Sequence, residues 1–313
     1  MELITFKIIL VLALFLLALT IAAYSTWAER KVAAVMQDRI GPSKAGPFGL
    51  LQPLADGGKF FFKEDFTPAN AEKFLFILGP SLVMFISLIT GAVIPWGKSL
   101  NIGGTSFDLQ VANIDVGVLY IIGMASIGVY GIMIGGWASN NKYSLLGAIR
   151  ASSQMISYEL AMGLALLSII MMNGSLDLKV ITESQATGKL WGLISLDGMN
   201  WNIFYQPLAF LIFIVAALAE TNRHPFDLPE CESELVTGYS TEYSSMKLGL
   251  YMFGEYVNMF ISNAFMVALF FGGYNYPGIE WVTQNWGENA AGILSIVAFL
   301  SKTIIGILIF MWI

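Results

Sequence analysis

Charged residues are scarce in this chain, and those it has are unevenly spaced. Between Glu220 and Glu242, six carboxylates (Glu220, Asp227, Glu230, Glu232, Glu234 and Glu242) surround one base, Arg223. Acids this close raise one another's pKa, so some can hold a proton near neutrality. A solvated acidic loop is the common form of such a run. Here Phe226, Leu228, Leu235, Val236 and Tyr239 are interleaved with the acids, and Pro225 and Pro229 stiffen the backbone. A solvated loop needs neither. A second polar stretch, from Ala28 to Lys73, carries Glu29, Arg30, Arg39, Asp56 and Lys59. Two more acids, Glu159 and Glu255, interrupt otherwise apolar runs. A charged carboxylate at the centre of a membrane span costs roughly 2.5 to 3.5 kcal/mol, so such residues face a bundle interior and mark proton or ion paths. The chemistry open to this set is proton handling.

Other chemistries are excluded by composition. Cys231 and His224 are each the only residue of their type, so this chain cannot supply the cysteines of an iron–sulfur cluster, a zinc site or a histidine pair for haem. Neither G-x-G-x-x-G after a strand nor G-x-x-x-x-G-K-[ST] occurs, which argues against nucleotide binding. A net charge of −6 is not that of a nucleic-acid binder. If electrons are involved, a partner must deliver them.

The elements that position these acids are membrane spans. Of the 313 residues, 56% are hydrophobic and 12% charged, about half the charge of a soluble domain. Apolar runs predict seven spans near Leu3–Trp27, Phe74–Pro95, Ile114–Trp137, Met155–Met172, Ile203–Ala219, Leu248–Phe271 and Ala290–Ile313. The first is too long for a signal peptide. All are helices, because hydrocarbon leaves no backbone group unpaired and the runs lack the alternation of barrel strands. The expected fold is thus an all-α polytopic membrane protein, residues 1–313 forming one membrane domain. Glu159 falls about a turn into its span and Glu255 about two turns into its own. Gly128, Gly131 and Gly135 give the third span a small-residue face for close packing. Lys302 and Asp115 read as residues that snorkel or cap helix ends.

Between Leu50 and Phe62 one face is apolar and the other polar, the pattern of a helix lying at the membrane interface. Asp56 and Lys59 share a side of it. Eleven Lys and Arg residues fall on the side of the 28–73 and 220–247 loops and four on the other, which places those loops in the cytoplasm.

The stretches Ala28–Lys63 and Glu220–Met246, with the order of spans, resemble the quinone-binding heel membrane subunit of respiratory complex I, the proton-pumping NADH:quinone oxidoreductase. The resemblance covers almost the whole chain. It implies a bacterial inner-membrane protein that lines a quinone-access chamber, with quinone as substrate and no covalently bound cofactor. FMN and the iron–sulfur clusters are implied in partner subunits, peripheral ones capping the quinone site and other membrane subunits alongside. Carried over by residue, Glu29, Arg30, Arg39, Asp56 and Lys59 line the chamber entrance and wall. Arg223, Asp227, Glu230, Glu232 and Glu234 line its inner part, and Glu159, Glu220 and Glu255 begin an acidic proton path. The family has an eighth span beyond the point where this sequence stops. Three alternatives remain open: the related membrane subunit of an energy-converting hydrogenase, a secondary ion transporter, and a purely structural anchor. No internal repeat supports the transporter, and an anchor leaves Glu159 and Glu255 without a role.

Overall fold

A computed structural model describes residues 2–102, 104–186, 189–190, 194–195, 200–223, 225–226 and 236–313. Helix α1 (Glu2–Met36) runs for 35 residues with neither Gly nor Pro inside it. Asp38, at φ 50°, and the Gly41-Pro42 pair then stop it. Helix α2 (Gln52–Phe62) starts with a proline in its first turn, where the missing N–H costs nothing. Leu54 and Phe61 on α2 are exposed, as expected of a helix lying in an interface. Five long helices follow, with one shorter: α3 (Lys73–Thr90), α4 (Gly117–Ala138), α5 (Lys142–Asn173), α7 (Pro207–Glu220), α8 (Ser245–Phe270) and α10 (Glu288–Trp312). Two short helices, α6 (Leu178–Ser184) and α9 (Ile279–Trp286), and the small hairpins Leu100–Ile102 with Thr105–Phe107 and Lys189–Leu190 with Ile194–Ser195 complete the described structure.

Among the described residues, six helices are long and apolar enough to cross a membrane: α1, α3, α4, α5, α8 and α10. The fold is all-α, as the sequence predicts. Two spans differ from expectation. The fourth begins at Lys142, not Met155, because Asn141 caps it by accepting a hydrogen bond from the Tyr143 N–H. Its first turns are polar and escape a hydropathy reading. Glu159 therefore lies near the middle of a 32-residue helix and not one turn from its end. The fifth, α7, has only 14 residues, about 21 Å at 1.5 Å per residue, short of the roughly 30 Å hydrocarbon core. A 3₁₀ turn at Asn202–Phe204 leads into it.

Helix α8 is the axis of the bundle, packing against α1, α2, α3, α7 and α10. Val257, Phe260, Ala264, Phe265 and Phe270 on it are fully buried. Helices α3 and α4 approach closely at glycines: a Cβ on Gly131 would fall 3.0 Å from the Gly79 carbonyl and 2.6 Å from a Val83 methyl. The small-residue face anticipated on α4 is this seam. Lys302 caps a helix end as expected. Its ammonium donates to the carbonyls of Phe271 (2.8 Å), Gly273 (3.0 Å) and Asn275 (2.5 Å) just past α8 and lies 5.1 Å from the Trp201 ring.

The two polar stretches meet at one end of the bundle. Lys247 binds Asp65 (2.9 Å) and Thr67 (2.7 Å), and Ser245 donates to the carbonyls of Phe60 (3.0 Å) and Lys63 (2.9 Å). These contacts hold the start of α8 against the α2–α3 connection.

Candidate functional site

Arg223 follows α7 by three residues and turns back toward α1. Its Nη1 donates to Glu29 Oε2 at 2.7 Å, and the same oxygen accepts from the Tyr256 hydroxyl of α8 at 2.9 Å. The guanidinium lies 4.1 Å from the centre of the Tyr256 ring, a cation–π distance. One carboxylate, one guanidinium and one phenol thus join α1, α8 and the segment after α7. The Arg223 side chain is only 17% exposed. Burial works against its charge, but Tyr256, Glu29 and Glu255 outweigh that and hold it protonated more firmly than an ordinary arginine. Its Nε is buried with no hydrogen-bond partner among the described residues.

Glu255, the residue before Tyr256 on α8, accepts from the Tyr239 hydroxyl at 2.5 Å. Tyr239 is one of three tyrosines that plug the 236–244 segment into the bundle. Its ring lies 5.2 Å from that of Tyr251, which lies 5.0 Å from that of Tyr243. Tyr251 donates to the Gly131 carbonyl (3.1 Å), and the Tyr243 hydroxyl lies within reach of the carbonyls of Phe76 (3.1 Å) and Gly135 (3.2 Å). Gly135 is needed here, since a Cβ on it would meet the Tyr251 hydroxyl at 1.8 Å. Burial pushes the Tyr243 phenol up to about 12. On the other flank, Gln154 of α5 donates to the carbonyls of Ala219 (3.1 Å) and Phe226 (2.7 Å). At the end of this acidic stretch Tyr239 is packed into the protein while Val236 is exposed; Leu228 and Leu235 lie outside the described residues.

Deeper in the bundle, Glu220 and Glu255 line an interior cavity of about 60 Å³ together with Thr221, Asn222, Asn258 and Ser262. The cavity is large enough for several waters, and these polar groups in its mostly apolar lining give them partners. Glu159 accepts a hydrogen bond from Ser126 of α4 and lies within electrostatic reach of Glu220. The three intramembrane acids and Glu29 thus form a discontinuous series from the α1 end of the site into the bundle.

Helix α2 is held by a pair that the spacing along it does not reveal. Asp56 binds Arg30 of α1 (2.8 Å) and Gln52 (3.0 Å), while Lys59, on the same side of α2, is exposed, as is Arg39. With its apolar face α2 covers one end of a lateral groove of about 960 Å³ between α1, α3 and α8. Pro53, Leu54, Gly57 and Phe61 line it from α2, with Phe15 and Tyr24 from α1. Gly57 and Gly58 face open space there, since added Cβ atoms on them would meet nothing within 4 Å.

A family model for NADH dehydrogenase matches residues 8–313. The chain belongs to this family. The NADH dehydrogenase family includes an NADH-quinone oxidoreductase H subunit of Cytophaga hutchinsonii, to which the chain is 59% identical over 307 residues, 98% of this chain and 86% of that protein. The corresponding H subunit of Flavobacterium psychrophilum is 56% identical with the same coverage. That of Leptospira biflexa is 45% identical over 311 residues, 97% of this chain and 83% of that one. Within this family member, the structure brings Glu29, Arg223 and Glu255 together, with Glu220 and Glu159 further inside. Arg30 and Asp56 pair at the rim. Asp227, Glu230, Glu232 and Glu234 lie outside the described residues. Sequence reasoning missed Tyr239, Tyr256 and Ser126, the hydroxyls that hold the acids. Nothing in the sequence singled them out as partners: Tyr239 sits among the apolar residues of its loop, and Tyr256 and Ser126 lie within apolar runs.

Proposed function

We propose that this chain is the quinone-facing membrane subunit of an NADH:quinone oxidoreductase and links quinone reduction to proton translocation. The observation that carries the reading is the pairing of two features in a member of this family: a wide apolar groove open to the side, and a partly buried Glu29–Arg223–Tyr256 junction. A lipophilic quinone enters laterally under α2, guided by the apolar walls. Its reduction takes two protons and two electrons, the electrons coming from an iron–sulfur cluster of a peripheral partner subunit, with FMN and the other clusters also carried by partner subunits. Glu29, Arg30, Arg39, Asp56 and Lys59 form the entrance and outer wall. Arg223, with Asp227, Glu230, Glu232 and Glu234, forms the inner wall facing the peripheral partners.

A charge appearing on the bound quinone acts first on Arg223, whose guanidinium is already shared with Glu29. Any change in that pair reaches Glu255 through α8, Glu220 through the cavity that both acids line, and Glu159 through its electrostatic coupling to Glu220. This series is the proton path. Its support is the carboxylate placement and the hydroxyls that hold each acid. The excess of Lys and Arg on the side of the 28–73 and 220–247 loops orients those loops to the cytoplasm of a bacterial inner membrane. The hydrogenase-subunit alternative is not favoured, since the relatives of high identity are named as parts of NADH-quinone oxidoreductase.

The test is purification with native partners, followed by an assay of NADH-driven quinone reduction and its sensitivity to rotenone-type inhibitors. The reading expects a multi-subunit complex with inhibitor-sensitive activity. A chain that purified alone, with no iron–sulfur partner, would overturn it.

A further inference from the structure

The lateral groove does not end at the level where the headgroup would leave the membrane. Past Phe15, Phe85 and Leu88, which line both parts, it continues as a second apolar cleft of about 330 Å³. This cleft is bounded by Val11, Leu14 and Ala18 on α1, by Ala92 beyond α3, and by Trp96 and Phe260. From Tyr24 to Val11 the two parts follow α1 for about 20 Å, at 1.5 Å per residue. The groove arises from helix placement. Helix α1 packs against α2, α8 and α10, whereas α3 packs against α4 and α8, so a seam stays open between α1 and α3 with α8 as its floor. The floor of the far part is rigid: Trp96 donates to the Gly91 carbonyl at 3.2 Å and stacks on Phe260 at 5.5 Å. Beyond Val111, which lines the far part, Lys7 of α1 donates to the carbonyls of Gln110 and Val111, the latter at 3.0 Å.

We propose that this second cleft is a tail subsite, holding the distal isoprenoid units of the quinone while its headgroup occupies the chamber, and that it makes the enzyme selective for tail length. The inference rests on the quinone reading above. Two observations favour an isoprenoid over a phospholipid chain. The cleft is continuous with the groove under α2, so an occupant lying along both has its polar head on the protein side of that helix. Helix α2 also lines the near end of the groove, where the headgroup of a phospholipid lying along it would have to sit. The lining of the second cleft is apolar side chain and indole throughout, suited to a methyl-branched hydrocarbon.

Lipid tails are as apolar as the cleft, so its contribution is packing rather than a hydrophobic gain. The effect of filling it is correspondingly moderate. Val11→Trp and Ala92→Phe each place bulk in the cleft, and neither residue touches the headgroup site. The experiment measures KM and kcat of the whole complex in lipid nanodiscs with two quinones of one headgroup, one long-tailed and one with a single isoprene unit. The proposal expects KM for the long-tailed quinone to rise roughly threefold to tenfold, the scale of packing contacts made without a hydrophobic driving force. It expects the short-tailed quinone to be used as before. Unchanged KM for both quinones overturns the subsite and leaves the quinone reading intact, the cleft then being filled by lipid. An equal rise for both also overturns it. A wild-type complex that reduces neither quinone removes the reading on which the proposal stands.

Discussion

At the scale of residues, Arg223 carries the most consequence. It holds Glu29 together with Tyr256, using both a hydrogen bond and a ring face. Lysine preserves the charge but loses the planar fork and the stacking. We expect Arg223→Lys to lower kcat/KM for quinone by about tenfold, an effect of ~1.4 kcal/mol. Tyr256→Phe removes one hydrogen bond to the same carboxylate, and a double-mutant cycle should show the two substitutions to be non-additive. Additive losses would mean that the contacts act separately. For the intramembrane acids, Glu159→Gln and Glu255→Gln keep the shape and delete the titration. Coupled turnover in proteoliposomes, measured as NADH-driven acidification against quinone reduced, should fall for both. Normal pumping in both variants would rule out the acidic path. These acids were legible from sequence because a carboxylate in an apolar run stands out. Their partners were not, since a serine or tyrosine in a span has no such contrast.

At the scale of elements, the tyrosine plug and the glycine seam between α3 and α4 fix the position of α8. Gly131→Leu forces α3 and α4 apart, and we expect about 1 to 3 kcal/mol of lost stability from overpacking, read as a lower thermal midpoint of the complex. The Tyr243 phenol gives a pH signature. Its folded-state pKa of about 12 exceeds the ordinary 10.0, so the folded protein favours the neutral phenol. That contribution is intact below pH 10 and is lost as the pH rises toward 12. Alkaline titration should therefore show a loss of stability in this window, and Tyr243→Phe should flatten it. The amphipathic α2 could be read from its sequence pattern because interfacial helices separate polar from apolar residues strictly. The start of α5 could not. Lys142–Gln154 is mixed in polarity, and it is helical because Asn141 caps it and the same helix continues to Asn173. The Arg30–Asp56 pair was hidden for another reason: spacing along one helix cannot reveal a partner from another.

At the scale of the whole molecule, the span order and the all-α architecture followed from composition, since a chain with so few charges has no other way to satisfy its backbone. The convergence of the 28–73 and 220–247 segments at one end of the bundle needed the structure, because Lys247 meets Asp65 from a distant part of the sequence. So did the groove, which is a gap between α1 and α3 and has no motif. The most direct test of the central claim, that this chain forms the wall along which quinone enters, is photoaffinity labelling of the intact complex with a quinone bearing a photoreactive group on its tail. The account predicts label on this chain, in peptides spanning Phe15–Tyr24 and Leu54–Phe61, suppressed by excess unlabelled quinone. Label confined to other subunits, or label here that quinone does not displace, would contradict it.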